Sequence, residues 1–407
     1  MNITVISTTK PGNVTPVSDF ETLSGHCAGV CYMANDFETL QTEKPEKTAR
    51  RVKQTMEGGH HSVFDHNYIT LYIEGIPKLL AMFLNNEKMY TTSEKSARYT
   101  VMDNVSPLEQ ELYTKWKLSF EQRISEKYSN LPKKKIEKLA MENARYMLSV
   151  FTPTCMVYTV TYRQINYLYQ WLDNIADITQ FGTAYNTANS VKVWQNAINE
   201  LKAQLVNTGY INPELRDYKS RTFSLFASPQ KVVYTSETLN DVYSICYVGS
   251  YAQLAQAQRH RTLNYSICEP NDTNKLPVAF FVPPILGIGQ KMEWIKDCEK
   301  LLKEGIVPQA KLIYIREQGT YEDFILKCKE RLCSAAQLEI ALTTQEILER
   351  YITTFGMKAT VDPDIKNHWI WQDLHKYNTG KARCSFPDFK CTEPCGWADG
   401  INMNREI

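Results

Sequence analysis

Excess charge is almost absent from this chain: 46 Lys and Arg stand against 45 Asp and Glu over 407 residues, a formal net charge of +1. A chain so balanced lacks the basic field with which proteins coat nucleic acid. Long apolar runs are missing as well. The longest apolar region, residues 276–289, is shorter than the ~20 residues of a membrane span and is interrupted by Pro283 and Pro284. The opening MNITVISTTKPG alternates like a first strand and has no basic start, long apolar stretch or small-residue cleavage site. No secretory signal is expected from it, and a cytoplasmic location is. Paired cysteine spacings are also lacking: eleven cysteines, an odd and scattered set, fit reduced thiols better than a disulfide framework. One cluster stands out near the C-terminus, Cys384, Cys391 and Cys395. Zinc there would need a fourth ligand such as His375 and tighter pairing, so the plain reading is a tail of free thiols with no metal.

What is present is core-forming material. The chain is 43% hydrophobic and 11% aromatic, which excludes disorder as its main state, and its length predicts two or three domains. Residues 48–57 read as a helix stopping at Gly58 and Gly59. Residues 67–75 then alternate like a half-buried strand, and a helix follows to about residue 85. Between 107 and 147 the pattern is long, charged and helical, with a break near 130–132; Lys133, Lys134 and Lys135 read as a solvated face. After Pro153, VYTVTYRQINYLYQWL is a strand turning into an aromatic helix whose stripe reads as core packing. Residues 208–220 are polar and turn-rich, the best candidate linker.

The second half repeats this layout. VYSICYVGSYAQLAQAQRHRT, residues 242–262, gives a strand, a glycine and an alanine-rich helix, as YITLYIEGIPKLLAMFLNN does earlier. Residues 307–332 again run from strand into helix. Order and spacing, rather than identity, point to two strongly diverged copies of one unit.

Three constellations could carry chemistry. GHHSVFDH offers His60, His61, Asp65 and His66 to a metal, but nothing in the pattern folds them together; imidazoles that bond a ligand or cap a neighbouring element are the better reading. TTSEKSARYT sets Glu94, Ser96, Arg98 and Tyr99 in a short polar loop, where a guanidinium and a hydroxyl could hold a phosphate monoester; an ordinary capped turn is the alternative. Arg259, His260 and Arg261 lie in sequence, and consecutive helical side chains point about 100° apart. They suit a helix end converging on an anion rather than a flat surface, with a solvated basic end as the bland account. Ala252, Ala255 and Ala257 before them mark a helix that something approaches closely.

Taken in order, these residues resemble the flavin-dependent thymidylate synthase family. VCY, GHHSVFDH, IEG and SEKSARYT, within residues 30–100, look like its front end, and ENARYMLSVFTPT, residues 142–154, resembles its middle. QAQRHRT and ERLCSAAQLEI resemble its later motifs. The departures are complementary. Where the first half should show RHR, at residues 85–88, it reads NNEK, and Leu172 stands for the catalytic arginine. The second half keeps RHR and Arg331, but its following loop, TLNYSICEPND, lacks S-x-R-Y, and Glu304 replaces the phosphate-binding arginine. Each copy has kept what the other lost.

The resemblance implies an α+β fold: two tandem copies, each a small mainly antiparallel sheet with packed helices, over residues 1–210 and 221–356. An extension at 357–407 carries Trp369, Trp371, Trp397 and the three cysteines, either packed over the second half or meeting a partner. It further implies reductive methylation of dUMP, with FAD as redox carrier and NADPH and methylenetetrahydrofolate as co-substrates. By carry-over, Glu94, Ser96, Arg98, Arg145, Gln256 and Arg259 would bind the nucleotide. His60, Ser62, Arg163, Arg259, His260 and Arg261 would bind the flavin, and Arg331 would be catalytic. Thr161 stands where the family has an asparagine beside Arg163. No cysteine acts as nucleophile. Sites would form between unlike halves, a homodimer standing in for the family's tetramer. The alternatives are hydroxymethylation of a pyrimidine nucleotide and an inactive nucleotide-binding scaffold.

Overall fold

The computed structural model describes the chain apart from residues 10–15, 33–35, 99, 103, 220, 227–237, 240–241, 272–274, 368 and 393. For residues 16–18, 32, 238–239 and 260 it describes the backbone alone. In chain order the first elements are β1 (Asn2–Thr8), α1 (Pro16–Tyr32), α2 (Phe37–Gln41), α3 (Pro45–Glu57), β2 (Tyr68–Pro77), α4 (Lys78–Leu84) and β3 (Tyr90–Glu94). There follow α5 (Pro107–Lys127), α6 (Lys133–Ala144), β4 (Pro153–Thr161), α7 (Tyr162–Trp171) and α8 (Ala188–Asn207). Beyond the linker lie β5 (Thr238–Leu239), β6 (Val242–Ser250), α9 (Tyr251–Ala257), β7 (Asn264–Cys268), α10 (Ile288–Lys303), β8 (Leu312–Thr320), α11 (Tyr321–Arg331), α12 (Leu338–Val361) and α13 (Trp369–Tyr377).

Two four-stranded antiparallel sheets result, ordered β1-β2-β4-β3 and β5-β6-β8-β7. The expected α+β class, with small antiparallel sheets and packed helices, is what the chain adopts. Each sheet has the same connections: its second strand runs straight into a short buried helix, α4 or α9, and its third into α7 or α11. The local causes match too. Thr161 and Thr320 end β4 and β8 in extended conformation, and each hydroxyl accepts the N–H three residues on, capping the helix that follows. In β2 the alternation puts Ile69, Leu71 and Ile73 in the core. The strand bulges between Glu74 and Ile76, where Gly75 takes φ +77°, a conformation a side chain disfavours.

Both polar loops proposed around the sites prove partly to be strands. Residues 90–94 pair with β4, Tyr90 opposite Val160 and Glu94 opposite Met156. Residues 264–268 pair with β8 in the corresponding place. Both strands are only five residues long and rich in Thr, Ser or Asn, so they read as loop although the neighbouring strand offers a full ladder.

The compact units do not follow the sequence halves. One consists of Met1–Lys95, Pro153–Gln180 and Asn186–Ser224; the other of Ser96–Thr152, Phe181–Tyr185 and Leu225–Ile407. The reason lies in α5 and α6, whose Leu112, Trp116, Phe120, Ile124 and Leu139 share one buried cluster with Phe280, Trp294 and Leu301 of the second half. Each such side chain contributes about 1.5–3 kcal/mol on burial, so the hairpin's affiliation is strongly set. Trp116 meets Trp294 edge-on at 4.9 Å. The C-terminal extension belongs to the same unit: Trp397 packs against Tyr128, Trp369 against Tyr321, and Ile407 is buried. Lys133 and Lys134 are exposed as expected, whereas Lys135 lies over the Trp397 ring at 5.6 Å, and burial lowers its pKa. Among the described residues no helix is long and apolar enough to cross a membrane.

Candidate active site

The second unit, within one chain, gathers nucleotide residues assigned to opposite halves. Arg145 ends α6 and is almost fully buried; its guanidinium donates to the Gln337 side chain and to the Ala252 carbonyl at 3.4 Å. Arg98 donates through Nε to Glu142 and through Nη2 to the Ala335 carbonyl at 2.6 Å. From the other side, Arg331 at the end of α11 donates to the Gln256 carbonyl at 3.3 Å. Burial lowers the Arg331 pKa, Glu330 opposes this, and the charges of Arg98 and Arg259 add to the lowering, so three guanidiniums share one electrostatic neighbourhood. Burial likewise lowers the pKa of Arg145, with Glu142 opposing and Arg98 reinforcing.

Beneath these arginines lies a buried acid. The Glu339 carboxylate accepts from the Ser250 N–H at 2.8 Å, the Ser250 hydroxyl at 2.6 Å and the Tyr146 hydroxyl at 2.6 Å. Burial raises its pKa, and those bonds hold the rise in check. Gln337 also bonds Tyr146, so the start of α12 is tied to the end of α6.

Some polar groups in this unit have no counterpart. Arg145 Nε and both amide atoms of Gln256 are buried without a hydrogen-bond partner, as are those of Gln253 one turn earlier on α9. An unpaired buried amide costs roughly 1–3 kcal/mol, a penalty that a ligand offering donors and acceptors removes. Ser96 sits in a turn, its hydroxyl accepting the Arg98 N–H at 3.4 Å. Tyr99 lies outside the described residues, and so does the side chain of His260. Arg259 is half-buried and Arg261 exposed; Arg261 has φ +60°, which turns the chain sharply after α9.

The remaining sequence-assigned residues fall in the first unit. Glu94 is committed to Lys78 and to Asn85, which donates at 3.2 Å, and is grouped apart from Ser96 and Arg98. Arg163 pairs with Asp65, which also accepts from the Thr161 hydroxyl at 2.7 Å. His61 is buried between Tyr167 and the Met56 carbonyl at the end of α3, the capping role expected of such an imidazole. His60 and Ser62 are exposed. Asp65 and His61 are thus engaged elsewhere than on a shared metal.

Where the first half reads NNEK, the stretch just past the linker fills the surroundings. Ser224 donates its N–H and hydroxyl to Glu87 at 2.6 and 2.7 Å and accepts from Asn86 at 2.9 Å. Phe223 packs on Phe83 and Trp171, beside Leu172. The first unit also holds a cavity of about 790 Å³ bordered by Glu21, His26, Glu43, Val52, Met56 and Tyr218, none of them assigned to nucleotide or flavin from sequence.

Known proteins resemble part of this chain. Residues 14–173 match the family model described as thymidylate synthase complementing protein. A flavin-dependent thymidylate synthase of Pyrococcus furiosus is 25% identical over 150 residues, 34% of this chain. Both likenesses take in less than half of the chain. The match spans 58% of the Pyrococcus protein's length. Solved structures with partial likeness include thymidylate synthase X of Helicobacter pylori with FAD and dUMP, at 14% identity and TM-score 0.31. That likeness covers 53% of this chain and 95% of that one. A UMP/dUMP methylase of Streptomyces cacaoi bound with 5-Br dUMP stands at 13% and 0.32, covering 53% and 92%.

Within this thymidylate synthase-like chain, sequence reasoning missed Glu142, Gln337 and Glu339 as contributors. All three sit inside the quoted stretches ENARYM and AAQLEI, and a carboxylate or amide recurring beside motif arginines was the available signal.

Proposed function

We propose that the chain is a flavin-dependent thymidylate synthase acting on dUMP, with one composite site per chain built from both halves. The observation that carries this reading is the gathering of Arg98, Arg145, Gln256 and Arg331 in one unit, with the Gln256 amide and Arg145 Nε left unpaired. Ser96, Arg98 and Arg145 hold the phosphate, since a planar guanidinium matches its oxygens two at a time. Gln256 offers its amide to the pyrimidine edge, and Arg259 flanks the nucleotide. Arg331, partly desolvated, stabilises negative charge as it develops on the ring, a pre-organised field that needs no reorientation during reaction. Burial of Arg331 supports this role, because the same charge in water would be screened.

Arg259 and Arg261, two cations at the end of buried α9, fit the diphosphate of a flavin dinucleotide. FAD supplies the redox chemistry when bound. NADPH as reductant and methylenetetrahydrofolate as carbon donor complete the proposal, together with a homodimer and a cytoplasmic location. In the first half, Asn86, Glu87 and Leu172 replace the cationic residues, and Ser224 and Phe223 occupy the space around them. That supports one site per chain rather than two, and two per dimer.

The test is an anaerobic visible spectrum of the purified chain with FAD, taken with NADPH before and after dUMP, followed by product mass. A flavin band that bleaches and responds to dUMP, with a methyl group added to the nucleotide, is expected. A product heavier by one oxygen would replace methylation with hydroxymethylation. Absence of any flavin or dUMP response would leave a nucleotide-binding scaffold.

A further inference from the structure

One buried ion pair of the second unit takes no part in the chemistry above. Lys327, on α11, donates to both oxygens of Glu317 on β8, at 2.9 and 2.7 Å, and both side chains are sealed from solvent. From β6, the Tyr243 hydroxyl donates to one of those oxygens at 2.7 Å and the Tyr247 hydroxyl to the other at 3.1 Å. Burial and the Glu317 charge both push the two phenol pKa values up, so the hydroxyls stay protonated and available as donors. Lys327 also lies over the Tyr247 ring, 5.2 Å from its centre. Directional contacts thus pin α11 to two strands of its sheet.

The first half supplies its own comparison. Thr161 and Thr320 cap α7 and α11 alike. Counted from these caps, Tyr158 stands for Glu317, Leu168 for Lys327 and Leu172 for Arg331. In the same frame Ile69 opposes Val160 as Tyr243 opposes Gly319, and Ile73 opposes Met156 as Tyr247 opposes Ile315. Tyr158, Leu168, Ile69 and Ile73 are all buried, and the Tyr158 hydroxyl donates to the Leu84 carbonyl at 3.1 Å. A sheet and helix joined in this way therefore fold without an ion pair at these positions. Replacing a buried ion pair by well-packed apolar residues is often neutral or stabilising, so stability does not account for its presence in the second half. The half that carries the pair is the half whose helix ends in an arginine.

The layout of α11 connects the two. Lys327 and Arg331 are four residues apart and share one face of the helix. Phe324, one turn before Lys327, stacks on Tyr243 with ring centres 4.7 Å apart. Apolar packing is non-directional and tolerates small rotations of a helix about its axis. An ammonium gripped by a carboxylate that two hydroxyls also hold has far less freedom. Any rotation at Lys327 is carried to the Arg331 guanidinium one turn on, and a misplacement of about 1 Å can cost about a hundred-fold in rate.

We propose that Lys327 and Glu317, with the Tyr243 and Tyr247 hydroxyls, are positioning residues that lock the end of α11 so that Arg331 meets the nucleotide ring at a fixed place. The proposal rests on the reading of Arg331 as the group that stabilises charge on that ring. All four side chains are buried and act through Arg331 rather than on the nucleotide.

The test replaces the whole pair, because removing one partner would leave a buried charge unmatched. The full chain carrying Glu317→Leu together with Lys327→Met should melt within about 5 °C of the unsubstituted chain. Amide hydrogen exchange over residues 328–332 should quicken about tenfold or more. The single-turnover rate should fall about ten- to a hundred-fold, with dUMP affinity changed less than about threefold. Adding Arg331→Ala to the pair should give the rate of Arg331→Ala alone, since both changes act on one guanidinium. A paired variant as fast as the unsubstituted chain overturns the proposal, as does unchanged exchange at residues 328–332. A further loss of rate in the Arg331→Ala background overturns it too, because the pair would then act independently of Arg331. So does a paired variant that fails to fold, which would make the cluster a requirement of folding. Exchange is read without flavin or nucleotide, and the activity of the unsubstituted chain tests the synthase reading separately, so the two failures are told apart.

Discussion

Arg145 shows how much of the proposed chemistry rests on single side chains. Its guanidinium is buried, donates to Gln337 and Ala252, and keeps Nε unpaired. Lysine preserves the charge but not the planar fork. Arg145→Lys should weaken dUMP binding about ten- to a hundred-fold, the value of one or two charge-assisted bonds, as read by calorimetric titration. Unchanged affinity would remove Arg145 from the phosphate. Arg331→Ala should do the reverse, lowering single-turnover rate about a hundred- to a thousand-fold while dUMP affinity changes less than about tenfold. A parallel loss of both would make Arg331 a binding residue only. These arginines were legible in the sequence because each sits in a compact motif. Their partners were not: Gln337 is 192 positions from Arg145, and only folding reveals which amide meets which guanidinium.

At the scale of elements, periodicity carried far. The strand-to-helix passages at β2–α4, β4–α7, β6–α9 and β8–α11 follow from alternation giving way to a 3.6-residue pattern. β3 and β7 escaped because five residues are too few to establish a period, and Thr, Ser and Asn break up what alternation there is. The α1–α3 packing illustrates a long-range tie that no period encodes. Arg51 grips both oxygens of Glu43, at 2.7 and 2.9 Å, and reaches the Gly25 carbonyl at 2.8 Å. The Arg51 bonds, aided by Thr48, hold the Glu43 carboxyl down to about 2, from an ordinary 4.5. A depressed carboxyl stabilises the fold fully above its unfolded pKa and loses that contribution as pH falls toward the folded value. Urea midpoints should therefore drop between pH 5 and pH 3, and Glu43→Gln should flatten part of that slope while lowering stability at pH 7. An identical slope in the variant would place the acid sensitivity elsewhere.

For the whole molecule, the repeat was readable from order and spacing, whereas the partition into units was not. Apolar faces on α5 and α6 announce that they are buried, without saying against which later helix. The complementary losses in the two halves carry the proposal that their residues act together. Counting follows from this arrangement: equilibrium dialysis should find one dUMP per chain, and opening the first half's surroundings by Ser224→Ala should not add a second. Two equivalent sites per chain would show that the NNEK half still works.

The interleaving of the units also sets an order of events during translation. Residues 96–152 leave the ribosome long before Trp294 and Leu301, the side chains that cover Trp116 and Phe120. A nascent chain ending near residue 224 therefore holds a finished first sheet and a helical hairpin with a naked apolar face, a state prone to capture by chaperones or by its own kind. A fragment of residues 1–224 should bind a hydrophobic dye and aggregate, and co-expression with residues 225–407 should rescue it. On this account synthesis speed across the second half, rather than stability of the finished protein, governs how much folded chain a cell obtains.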